Sequence, residues 1–134
     1  MSFRIIQLEN LDISVEHYKD NLKFSFFDAY VKKTMEDAEQ KTLWHQDGEI
    51  IFKNYDYDID KKDFNNKEKI ITFQVSFDFY TYKNMLVLPF SKIGDINIEL
   101  RLLNIENIIN IRCSELNLVE KENPRYIKHI NKAE

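Results

Sequence analysis

The stretch IITFQVSFDFY, residues 70–80, decides the fold. Ile71, Phe73, Val75, Phe77 and Phe79 alternate with Thr72, Gln74, Ser76 and Asp78, a period of two held over nine residues. β-Branched and aromatic side chains at that spacing suit a pleated strand, because a helix would scatter both sets around its circumference. The apolar set is expected to face the core and the polar set to face away from it.

The same alternation recurs on both sides. Leu11, Ile13 and Val15 alternate with Asp12, Ser14 and Glu16, and Lys19-Asp20-Asn21 supplies a turn. Leu22, Phe24 and Phe26 continue it until Phe27, Ala29 and Val31 take the opposite phase. The doubled phenylalanine marks either a bulge or a strand buried on both faces. Ile96, Ile98, Leu100 and Leu102, answered after residues 104–107 by Ile109, Ile111 and Cys113, read as a hairpin. Shorter strands are expected at 3–8, 49–55 and 85–90, with Pro89 at a strand end or sheet edge because proline cannot donate to a ladder.

Helical signals are few. Residues 34–41 offer Thr34 as an N-cap, and residues 124–132 follow Asn123 with Pro124 at a first helical position. Both predict short helices. About eight strands without a linker or repeat predict one mainly β domain over residues 1–134, an antiparallel β-sandwich or strongly curved sheet.

Composition narrows the function. At 134 residues and 43% hydrophobic, the chain can bury a core without a metal or disulfide staple. A single cysteine, Cys113, suits a reducing compartment. The N-terminus has no signal-peptide pattern and no run approaches a membrane span, so a cytoplasmic protein is expected. A net charge of −4 argues against duplex nucleic acid as the partner.

The segment NYDYDIDKKDFNNKE, residues 54–68, is the part that most resembles chemistry. Asp56, Asp58 and Asp60 fill the first, third and fifth positions of a calcium loop. Lys61 then stands where glycine is needed and Lys67 where the bidentate glutamate belongs, so the match fails. The main reading left is a solvated strand and turn, with Tyr55, Tyr57 and Ile59 inward and the aspartates outward. The lesser one is a looser site in which two or three carboxylates on one strand face share a cation. From Asp47 to Asp60, five acids (Asp47, Glu49, Asp56, Asp58, Asp60) stand against Lys53 alone, a local charge of −4. That asymmetry points to a basic partner, met through Asp47, Glu49, Tyr55, Asp56, Tyr57, Asp58 and Asp60.

Catalytic signals are absent from the sequence. His17, His45 and His129 have no metal spacing, and no nucleophile elbow, phosphate loop, CxxC pair or HExxH helix occurs. No cofactor is called for. His45-Gln46-Asp47 reads as a surface turn through Asp47-Gly48, with Trp44 partly buried before it, rather than as an oriented imidazole. Small, acidic, single-domain proteins without catalytic motifs are similar in general character to bacterial immunity proteins, although no motif is matched. The expectation is a non-enzymatic inhibitor that neutralises a basic protein. The alternative is a ligand- or carbohydrate-binding module, or a small enzyme using cleft carboxylates such as Asp56 and Asp78.

Overall fold

The computed structural model describes residues 3–34, 40–57 and 65–131. Ten strands form one antiparallel sheet: β1 (Phe3–Gln7), β2 (Leu11–Tyr18), β3 (Asn21–Thr34), β4 (Gln40–Lys53) and β5 (Asp56–Tyr57), then β6 (Lys67–Phe77), β7 (Tyr80–Lys83), β8 (Met85–Leu88), β9 (Phe90–Leu102) and β10 (Ile109–Asn131). Six of them close a ring in the order β2, β6, β9, β10, β4, β3 and back to β2. The curved-sheet expectation is therefore met by full closure, which removes most free edges.

The inward positions fill the ring. Leu11, Ile13 and Val15 from β2, Leu22, Phe24 and Phe26 from β3, and Ile50 and Phe52 from β4 are buried. Ile96, Ile98, Leu100 and Leu102 of β9 face Ile109, Ile111 and Cys113 of β10 in the same core. Phe24 meets Phe52 edge-on at 4.9 Å between ring centres, and Phe73 tilts against Phe52 at 6.4 Å.

β6 departs from the expected single face. A register shift between Ile70 and Thr72 resets its phase, so Ile70, Phe73 and Val75 are buried while Ile71 is only partly so. Phe77 is half-buried, and Phe79 is fully exposed in the two-residue turn to β7. The uninterrupted apolar face from Ile71 to Phe79 is thus corrected. Alternation read from sequence runs straight through a bulge and on into a turn.

Between Phe26 and Ala29 the β3–β4 register also shifts, with Asp28 at φ 58°. Phe26 is buried and Phe27 is 72% exposed, so the doubled phenylalanine is a bulge. Past it β3 changes neighbour, pairing β2 through residues 21–26 and β1 through 31–34. Beyond the ring the sheet continues as β8, β1, β3, β4 and β10.

The C-terminal helix expected at 124–132 is a strand through Asn131. β10 runs antiparallel to β4 to that point, with register shifts after Lys121 and after Tyr126. Pro124 falls in the first irregular stretch, where its missing N–H breaks no regular pairing. The buried amide of Gln46 bridges this stretch, its Nε2 donating to the carbonyls of Asp47, Lys121 and Glu122 at 2.8–3.1 Å. Thr34 ends β3 and Gln40 opens β4, so the other expected helix, 34–41, falls mainly on residues outside those described. No helix occurs among the described residues, and none is long and apolar enough to cross a membrane.

Candidate functional site

The residues predicted as one acidic face separate into two places. Asp47 and Glu49 project outward from the middle of β4, so Asp47-Gly48 is strand and not the expected turn. Their side chains are only 14% and 19% exposed, because remote strands supply cations to them. The Arg125 guanidinium donates to both Asp47 oxygens, at 2.7 and 3.3 Å, and also to Asp28. The Asp28 N–H donates to Asp47 as well, at 2.9 Å. Glu49 lies 3.2 Å from the Lys23 ammonium and 3.5 Å from that of Lys121. Lys23 also reaches Glu16 at 3.2 Å.

These contacts move the titrations. Hydrogen bonds from Arg125, then from the Asp28 N–H, hold the Asp47 carboxyl below its usual range. Glu115 is lowered by Asn117 and Lys53, and Lys23 is raised by Glu49 and Glu16. A carboxyl depressed in the folded chain contributes stability at pH values above its unfolded pKa, about 4. That contribution is lost as pH falls through the lower folded value. Asp47→Asn should therefore lower the unfolding midpoint near neutral pH, and its difference from wild type should shrink as pH drops below about 4. Denaturant titrations at several pH values check this, and a difference constant across the range would count against the Arg125 pairing.

Asp56 and Tyr57 lie elsewhere. Asn54, at φ 54°, breaks β4, and the Tyr55 N–H then bonds the Asp20 carbonyl at 3.1 Å. Tyr55 is half-buried against the core, with its hydroxyl 2.7 Å from His17 Nδ1. β5 then pairs β10 beyond the end of β4, with Asp56 opposite Arg112 and Tyr57 opposite Ile111. Asp58 and Asp60 lie outside the described residues.

Asp56 opens onto a polar groove of about 470 Å³ across the outward face of β6, β9, β10 and β5. Cross-strand register builds its floor in two rows. Gln74, Glu99 and Asn110 make one, and Ser76, Asn97, Arg112 and Asp56 the other. Arg112 donates to both oxygens of Asp95 at 3.1 and 3.3 Å. Among the described residues Asp56 and Glu99 make no ion pair, so this group of three acids and one arginine sums to −2. In the sequence Asn97 and Glu99 are only the polar phase of a strand; pairing across strands is what aligns them with Gln74, Asn110 and Asp56.

The other candidates fall apart spatially. Asp78 turns the corner from β6 to β7 and bonds Lys92 at 2.9 Å. Three strand spacings separate its strand from Asp56, about 14 Å along the sheet, beyond the separation at which paired carboxyls share a glycosidic bond. His45 and Asp47 share an outward phase, but the imidazole packs on Tyr30 and its Nδ1 lies 3.9 Å from Asp28. Cys113 is buried, which pushes its thiol up to about 11 and leaves it a poor nucleophile. No group of three or more His, Cys, Asp or Glu side chains among the described residues is placed to hold a metal ion.

No family model matches the chain, and neither a curated protein nor a solved structure matches it.

Proposed function

We propose that the protein is a non-enzymatic binding protein of the inhibitor type, which neutralises a basic partner protein in the cytoplasm. Its partner surface is the groove at Asp56 together with the acidic segment that follows. The carboxylates of Asp56 and Glu99, which make no ion pair among the described residues and lie on an open outward face, carry the reading. Asp47 and Glu49 already have cationic partners within the fold, so they add little field outside it. Exposed acids of one sign raise the encounter rate with a basic surface, while apolar contacts and desolvated anchors set how long the complex lasts.

The test is a pull-down from the source cell followed by association kinetics at two ionic strengths. Changing Asp56, Asp58 and Asp60 together to asparagine should slow association about ten-fold at low salt. The difference should fade as the Debye length shrinks from about 10 Å near 0.1 M to about 3 Å near 1 M salt. Asp47→Asn should leave the on-rate unchanged. Equal on-rates for wild type and the triple variant at low salt would remove the steering role.

A second reading has its own observation. The groove presents the amides of Gln74, Asn97 and Asn110 beside two carboxylates, a set of donors and acceptors suited to sugar hydroxyls. Saturable binding of a saccharide, abolished by Glu99→Gln, would favour this carbohydrate-binding alternative.

A further inference from the structure

Beyond the closed ring, the face of the sheet that continues the barrel interior carries two successive cross-strand rows. The first is Ile6, Val31, Trp44 and Tyr126, in register across β1, β3, β4 and β10. The second, nearer the rim, is Arg4, Lys33, Thr42 and His129 on the same four strands. On β1 and β3 the apolar side chains Ile6 and Val31 thus give way to the cations Arg4 and Lys33 in a step of two residues. A niche of about 270 Å³ opens between the rows, lined by Arg4, Val31, Lys33, Trp44, Gln46 and Pro124.

Arg4 and Lys33 stand directly opposite each other on neighbouring strands. Like charges so placed destabilise a sheet unless an anion lies between them. The fold supplies one acid, Glu120, whose two oxygens accept from the two terminal nitrogens of Arg4. That pairing fixes the guanidinium plane and leaves it further N–H donors. Lys33 has no ion-pair partner among the described residues. Arg4, Lys33 and Glu120 therefore sum to +1 around a partly enclosed space.

The aromatic wall is held as firmly as the guanidinium. Trp44 Nε1 donates to Thr42 Oγ1 at 2.9 Å, and Tyr126 meets the indole edge-on at 5.3 Å between ring centres. A held indole beside an ammonium without an ion-pair partner among the described residues suits a flat apolar body bearing one negative group. The volume, about 270 Å³, lies just below the range of drug-sized ligand sites, roughly 300 to 1,000 Å³, which restricts the occupant to a single small ring.

We propose that this niche is a second binding site, separate from the groove at Asp56, for a small aromatic carboxylate. The ring packs on Trp44 and the carboxylate accepts from Lys33 and the free edge of Arg4. An inorganic anion would satisfy the cations but not the aromatic wall, and a neutral ring the reverse.

Trp44 is the chain's single tryptophan, so its fluorescence reports on this wall directly. The full chain would be titrated with benzoate, with benzamide, and with inorganic phosphate, following that emission. Benzoate should give a saturable change, while benzamide and phosphate should give none over the same range. Lys33→Gln should weaken benzoate about ten-fold, the loss expected for one charge-assisted hydrogen bond. Its unfolding midpoint should stay near wild type, since the Lys33 side chain is only partly buried at the rim.

Three results would overturn the proposal. These are no saturable change with benzoate up to the order of 10 mM, an equal response to benzamide or phosphate, and undiminished benzoate affinity in folded Lys33→Gln.

Discussion

Phe73→Ala should destabilise the protein by about 3–5 kcal/mol, the usual loss when a fully buried phenylalanine is truncated. The ring is 0% exposed and sits between the two layers of the closed sheet against Phe52, which in turn packs on Phe24. Truncation removes the ring's transfer free energy and leaves a cavity that three neighbouring strands cannot collapse into, because closure fixes their spacing. At this chain length the thermal midpoint should fall by roughly 10–20 °C.

The neighbouring phenylalanines of the same alternating run give the control. Phe77 is half-buried, with ring contacts to Tyr80, Tyr82 and Phe90, and should lose less. Phe79 is fully exposed, so Phe79→Ala should stay within about 0.5 kcal/mol of wild type. Denaturant midpoints for the three variants should therefore rank Phe73, Phe77, Phe79. Equal losses at all three would restore the uninterrupted face that strict alternation predicts.

That ranking shows what sequence alone can supply. Period-two alternation located β2, the first half of β3, β6 and the β9–β10 hairpin, because one inward face and one outward face impose that period. Ring closure was not legible there, because it depends on pairings between strands far apart in sequence, β2 with β6 and β4 with β10, which no local pattern specifies. Bulges were partly visible: the doubled Phe26-Phe27 announces one, whereas Ile70-Ile71 reads as ordinary strand. Asn123-Pro124 carries a good local helix start, yet the long β4 template draws residues 125–131 into a strand. Tertiary pairing overrode propensity there.

The acidic site is less legible in the sequence for a related reason. The local charge of −4 counted only cations within the segment, while Arg125, Lys23 and Lys121 come from strands up to 78 residues away. Left-handed backbone positions also become visible only in the fold. With two glycines in the chain, seven left-handed backbone positions among the described residues are taken by Asn10, Lys19, Asp28, Asn54, Asp78, Asn84 and Glu122. Asparagine and aspartate tolerate that conformation better than other side chains. Asn84 gains further support by accepting the Phe73 N–H at its side-chain oxygen and donating its own N–H to the Phe73 carbonyl. Gly48 is needed for a different reason, close approach.

Gly48→Ala should destabilise the protein by about 1–3 kcal/mol although it adds a single methyl group. A β-carbon at this position would lie 2.6 Å from the Val119 carbonyl oxygen and 2.7 Å from Cζ of Phe26. Phe26 lies opposite Gly48 on β3, and its ring covers the glycine while remaining buried itself. On the other side β10 brings the Val119 carbonyl against the same point. A methyl group must therefore displace both a core ring and a strand backbone. Relieving one contact should recover only part of the loss. In the double variant Gly48→Ala with Phe26→Leu, the smaller side chain makes room on the β3 side, but the Val119 oxygen stays in place. The double variant should thus be more stable than the sum of the single losses, yet clearly less stable than Phe26→Leu alone. Chemical denaturation of the four proteins measures the cycle. A Gly48→Ala midpoint at the wild-type value would mean that β4 and β10 do not approach as closely as this packing requires.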